Sequence, residues 1–213
     1  MDFSVETAFG DVSAAGWVLV ATLIACGAVL WGIAKGRTQW TARMLANAAL
    51  CMALAFVLSY VRLMKLPQGG SVTAASLLPI IAFAYAYGPG PGLAVGVAYG
   101  FLQMIQDPWI VSPVQAVLDY PLAFAAIALA GLARRLPERW GWLAAIALGG
   151  VGRFVCHVLS GVVFFAEYAE GTGLSPLMYS LGYNSFVFAD LLICAVVMAV
   201  PQVRGALKRM TAK

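Results

Sequence analysis

Four ionisable residues of this chain, Asp119, Arg153, His157 and Asp190, stand inside long apolar runs. Holding such a group within a membrane helix costs roughly 2.5–3.5 kcal/mol on insertion scales, so each is a candidate for function. Arg153, His157 and Gly161 recur at four-residue spacing, which on a helix puts a cation, an imidazole and a glycine on one face. Phe164 falls near that stripe and Phe165 flanks it, while Tyr120 follows Asp119 directly. Tyr179, Tyr183 and Asn184 add hydroxyl and amide groups on a third run. These groups outline a pocket with a carboxylate, an imidazole, an amide and several rings. A flat, nitrogen-rich cation suits it: the carboxylate neutralises charge, the rings stack, and the amide reads a hydrogen-bonding edge. Purely structural readings stand beside this one. Asp119 and Arg153 would pair to hold two helices together, Asp190 would pair with Arg153, His157 would be a packing residue, and Trp109, Tyr179 and Tyr183 would be interfacial aromatics.

The elements that must position these residues are transmembrane helices. Of the 213 residues, 62% are hydrophobic and 10% charged, against roughly 45–50% and about 25% in a soluble domain. Uncharged runs at 12–34, 44–61 and 66–106 are long enough to cross a bilayer that needs about 20 apolar residues per helix. Apolar runs and breakers predict seven spans, near 13–34, 41–63, 73–87, 91–106, 113–133, 139–166 and 176–203. The segments 67–71 and 88–92, rich in proline and glycine, stop helices because they remove backbone donors and permit positive φ.

Asp2, Glu6 and Asp11 precede the first run with no basic residue, the reverse of a secretory signal. With that end outside, Lys35, Arg37, Arg43, Arg134, Arg135, Arg139, Arg204, Lys208, Arg209 and Lys213 all fall inside, and only Arg62 and Lys65 lie in an outer loop. The positive-inside distribution therefore predicts the N-terminus out and the C-terminus in. The expected organisation is an acidic segment with an extra helix over 1–36 and a six-helix transmembrane domain over 37–213, with no separate soluble domain.

Several chemistries are excluded or disfavoured. No segment reads G-x-x-x-x-G-K-[ST], so any ATP used belongs to a partner. Cys26, Cys51, Cys156 and Cys194 stand singly in apolar runs beside one histidine in the whole chain, which argues against a metal site or a disulfide framework. The formal charge of +4 is spread without interleaved aromatics, which fits membrane orientation better than nucleic-acid binding. On the second span, Ala49 and Ala53 make a small-xxx-small step that lets another helix approach closely.

Several stretches resemble one family, the thiamine-specific substrate-binding (S) components of energy-coupling factor (ECF) transporters. They are Leu66-Pro67-Gln68-Gly69-Gly70-Ser71-Val72, Ser112-Pro113-Val114-Gln115 with Leu118-Asp119-Tyr120, Arg153 to His157 leading through Ser160 to Phe165, and Tyr179-Ser180-Leu181-Gly182-Tyr183-Asn184. The similarity runs in order over about 41–205. It implies an all-α integral membrane protein, a six-helix bundle here carrying one extra N-terminal helix, in a bacterial plasma membrane. Such a protein binds thiamine from outside with high affinity and needs no cofactor. It moves its ligand only when docked on a transmembrane coupling subunit with two cytoplasmic ATPases, and is not itself an enzyme. The resemblance puts Asp119 opposite the ligand, makes His157, Tyr179 and Asn184 polar contacts, matches Arg153 to a basic position, and makes Trp109, Tyr120, Gly161 and Phe165 pocket-lining. It puts Ala49 and Ala53 on the coupling subunit. The chain departs from some members that carry tryptophan in place of Phe165 and another tryptophan within 68–71, so stacking on the ligand is expected to be weaker or arranged differently.

Two other functions compete. An autonomous proton-coupled carrier would use Asp119, Arg153 and His157 as a relay. An intramembrane enzyme would need a nucleophile and base pair, which a single histidine beside no activated serine or cysteine does not supply.

Overall fold

The computed structural model describes residues 39–211 together with Ala21 and Ala28, so the expected span over 13–34 and its acidic flank lie outside the described residues. The other six expected spans are helical over most of their lengths, the last of them divided at Ser185 and Val200. Helix α1 is Ala42–Ser59, opened by Thr41, whose hydroxyl accepts from the Met44 N–H at 3.2 Å. Strands β1 (Arg62–Lys65) and β2 (Ser71–Thr73) form an antiparallel hairpin, with Arg62 opposite Thr73 and Lys65 opposite Ser71. Helices α2 (Leu78–Tyr87) and α3 (Pro89–Gln106) meet at Gly88, whose φ of 95° favours glycine there and turns the chain. Helix α4 occupies Pro113–Arg135, α5 Glu138–Phe164, α6 Pro176–Asn184, α7 Phe186–Ala199 and α8 Pro201–Thr211. Proline opens α4 and α6 at the first turn, each preceded by a serine that caps a free N–H, as their fixed φ favours.

The hairpin is the main departure from an all-helical expectation. The run predicted as a span from 73 begins as strand, and its helix starts only at Leu78. At 1.5 Å per residue, the 10-residue α2 rises about 15 Å, half of a hydrocarbon core of about 30 Å. It is nevertheless the centre of the bundle: Ile80, Ile81, Phe83 and Ala84 are fully buried, as expected of a helix apolar on all sides. A short central helix leaves the other half of the bundle axis unfilled, and the hairpin covers that space.

Helix α4 changes its winding along its length. After one α-helical turn, Leu118–Leu122 wind as a wide π turn, Ala123–Ala125 return to α, and Ala126–Arg135 tighten to a 3₁₀ helix. The wide turn contains Pro121, whose missing N–H and ring disfavour a regular α turn. Gly100 of α3 lies against it so closely that a Cβ there would sit 2.7 Å from Tyr120 O and Pro121 Cα.

Basic residues gather at the end of the molecule opposite the hairpin. Arg134 donates to the Tyr87 carbonyl at 3.2 Å, Arg204 stacks 4.7 Å from the Trp142 ring centre, Lys208 pairs with Glu138 at 2.8 Å, and Arg43 donates to the Arg209 carbonyl. Helix α8 lies there with Val203, Leu207 and Met210 against the core.

Candidate functional site

Beneath the hairpin an open cavity is enclosed by α4, α5 and α6 and floored by the N-terminal end of α2. All nine residues expected to meet a ligand line it: Asp119 and Tyr120 from α4; Arg153, His157 and Gly161 from α5; Tyr179 and Asn184 from α6; and Trp109 and Phe165 from the adjoining loops.

Asp119 sits on the wide turn of α4, and its carboxylate gathers three groups. His157 Nδ1 lies 2.9 Å from Oδ1, while the Ser160 hydroxyl and Gln115 Nε2 donate to Oδ2 at 2.7 and 2.6 Å. With Nδ1–H donating, a neutral His157 presents Nε2 as an acceptor, and this buried atom has no partner among the described residues. Asn184 directs its amide nitrogen at the Ser180 and His157 carbonyls, at 2.9 and 3.3 Å, which leaves its side-chain oxygen as the group available to a ligand.

Of the two structural pairings weighed for Arg153, the one with Asp119 does not form and the one with Asp190 does. Asp119 takes His157, and Arg153 faces Asp190 instead, with Nη1 4.0 Å from Oδ2. Asp190 is only 1% exposed, and its other oxygen accepts from the Thr73 N–H and hydroxyl, each at 3.0 Å. The Arg153 guanidinium lies 4.7 Å from the Phe124 ring centre.

Gly161 acts by absence. A Cβ there would run into Ser180 Oγ and come within 2.9 Å of Ser180 Cβ, so the glycine allows α6 to approach α5 closely enough for Asn184 to reach the His157 carbonyl. Phe164, expected near the ligand stripe, packs instead with Leu118, Ala123 and Cys156.

The hairpin turn covers one side of the cavity. The Tyr183 hydroxyl accepts from the Gln68 and Gly70 backbone N–H groups at 3.2 and 3.3 Å, and Gln68 Nε2 donates to the Tyr179 hydroxyl at 3.2 Å. The two tyrosine rings are near parallel, 6.5 Å apart. Gly69, at φ 83°, packs on Trp109, and Arg62 of β1 pairs with Asp107 at 2.6 Å. Ala49 and Ala53 are on the outside of α1, exposed among the described residues, as are Ala42 and Ala46 on the same stripe.

Gln68, Gln103, Gln115, Ser160, Thr73 and Ser76 also line the cavity; Gln68, Gln115 and Ser160 stand in the stretches that carry the family resemblance, but none of the six is among the ligand contacts expected from sequence. Gln115 precedes Asp119 by four residues and Ser160 follows His157 by three, so helical spacing was the signal for both. Gln103 and the hairpin residues carry no such mark, since only the tertiary fold brings them to the site.

Known proteins share this architecture. A sequence model described as thiamine transporter protein (Thia_YuaJ) matches residues 45–208. The thiamine transporter ThiT of Bacillus subtilis is 32% identical over 171 residues, covering 73% of this chain and 88% of the relative. The ThiT of Lacticaseibacillus paracasei is 27% identical over 172 residues, covering 71% and 83%. The solved structure of ThiT from Listeria monocytogenes superposes with a TM-score of 0.69 at 23% identity, over 78% of this chain and 96% of that one, which establishes the shared fold. By the extent of the sequence match, the chain belongs to the thiamine transporter protein (Thia_YuaJ) family.

Proposed function

We propose that the chain is the high-affinity thiamine-binding subunit of an ATP-driven ECF uptake transporter in a bacterial plasma membrane. The observation that carries this reading is Asp119: a carboxylate held by His157, Ser160 and Gln115 inside an aromatic-walled cavity is built for a cation, and thiamine carries its positive charge on a thiazolium ring. His157 Nε2 and the Asn184 side-chain oxygen offer acceptors to the ligand's aminopyrimidine, while Tyr120, Phe165, Trp109 and Tyr179 surround its rings. Arg153 and Gly161 complete the wall.

In this reading the chain crosses the membrane seven times, with the extra helix in 1–36 ahead of the six-helix domain 37–213, its N-terminus out and its C-terminus in. The basic cluster at the end opposite the hairpin supports that orientation, since cytoplasmic ends carry the excess of lysine and arginine. The exposed alanines Ala49 and Ala53 are the contact for a transmembrane coupling subunit that brings two ATPases, the chain having no nucleotide-cradling loop of its own.

Thiamine titrated into purified protein quenches the fluorescence of Trp109 if the reading is right, and a flat titration overturns it. Uptake in cells with and without the coupling ATPases then separates a binding subunit from an autonomous carrier: a carrier concentrates thiamine in both.

A further inference from the structure

One pair in the cavity is left with nothing to do by the thiazolium and aminopyrimidine contacts. Arg153 carries five N–H donors, yet makes no hydrogen bond to any described residue, and its Nε is buried without a partner. Asp190 commits Oδ1 to Thr73 and leaves Oδ2 without a hydrogen bond, 4.0 Å from Arg153 Nη1. That spacing is too long for a hydrogen bond, yet an oxygen placed about 2.8 Å from each atom bridges it with an angle of roughly 90° at the oxygen. The bridging atom must accept from Arg153 and donate to Asp190. A hydroxyl does both. A phosphate monoester, mostly dianionic at neutral pH, accepts only in that form, and its negative charge would meet the Asp190 carboxylate.

We propose that Arg153 and Asp190 form a hydroxyl-binding subsite at the inner end of the cavity, and that Asp190 determines specificity by excluding the phosphorylated form of the same ligand. Both residues line the cavity. Arg153 stands one helical turn, about 6 Å, inward of His157 along α5, the distance a short hydroxyalkyl chain covers from a ring held at Asp119. The proposal rests on thiamine as the ligand, whose thiazolium bears a hydroxyethyl chain, and it assigns that chain's end. Arg153 alone would attract phosphate, because guanidinium is a strong phosphate ligand. Asp190 beside it cancels the charge and supplies the acceptor.

The test compares three probes on purified wild-type protein by calorimetry: thiamine, its analogue with an ethyl chain in place of hydroxyethyl, and thiamine monophosphate. The expected order is thiamine tightest, with the ethyl analogue weaker by about 10-fold, the size of a buried hydrogen bond, and the monophosphate weaker still. In Asp190→Asn, where the amide oxygen still accepts from Thr73, the gap between thiamine and its monophosphate narrows by at least about 10-fold as the repulsion is removed. Arg153→Gln abolishes the preference for hydroxyethyl over ethyl. If wild-type protein binds the ethyl analogue as tightly as thiamine, the subsite does not exist. If Asp190→Asn weakens all three probes equally, Asp190 is only an anchor for β2. Failure to bind thiamine at all would instead remove the thiamine reading on which the inference stands.

Discussion

Replacing Asp119 by asparagine tests the centre of the site, because it keeps the shape and removes the charge. The side chain is 14% exposed and surrounded by His157, Ser160 and Gln115, so its charge is largely desolvated and a cation beside it is poorly screened. The amide oxygen can still face His157, the Ser160 hydroxyl can turn to accept from the new NH₂, and Gln115 Nε2 loses this acceptor but keeps the Trp109 carbonyl, so the fold survives. Truncating one partner of a desolvated charge pair costs about 2–5 kcal/mol, and the residual exposure of Asp119 puts the loss near the lower end, about 2–3 kcal/mol. That corresponds to a roughly 30- to 150-fold weaker Kd for thiamine. An isostere with an uncharged ring in place of thiazolium loses only a readjusted hydrogen bond, at most about 1 kcal/mol or roughly fivefold. Calorimetric titration of both ligands into both proteins gives the four affinities. Equal losses for the charged and the neutral ligand would refute the reasoning and reduce Asp119 to a structural anchor for His157.

Tyr183→Phe removes the hydroxyl that holds the Gln68 and Gly70 N–H groups, so hydrogen exchange over 68–71 rises and thiamine dissociates faster by about 10-fold; unchanged exchange would show that the turn is held elsewhere. Ala49→Trp with Ala53→Trp abolishes uptake by the assembled transporter while melting and affinity stay within about twofold, as expected of exposed positions; a joint fall in stability and binding would make the alanine face internal. Gly161→Ala forces a methyl into Ser180, costs about 1–3 kcal/mol and lowers Tm and thiamine affinity together, which thermal shift with and without ligand measures.

The spans were legible because lipid imposes a simple rule: backbone polar groups must be satisfied within the segment, so apolar runs of sufficient length become helices. The same rule misled at 73–77, where Thr73, Ala74 and Ala75 read as the start of a helix but serve β2 and the turn after it. Helical spacing found Arg153, His157 and Gly161 together, and all three line the cavity. Spacing could not say which acid each base would take. The pairings of Asp119 with His157 and of Arg153 with Asp190 depend on the rotation of α4 and on where β2 lies, and both are tertiary facts. Gln103, likewise, reaches the site only because α3 ends beside α1, where its amide meets Ser59.

The wide turn at Leu118–Leu122 also makes α4 modular. A π turn inserts roughly one residue into an α register, and one residue is about 100° of rotation. The half of α4 that carries Asp119 and the half that packs Ile127 and Ala130 into the core are thus phased independently. Deletion of Pro121 would restore regular winding and swing Asp119 away from His157 while leaving the inner packing seated. The reverse event, a one-residue insertion into an uninterrupted helix, is therefore a short route by which a bundle of this kind gains or re-aims a charged group without rebuilding its core. The ligand site and the scaffold can then diverge at different rates within a single helix.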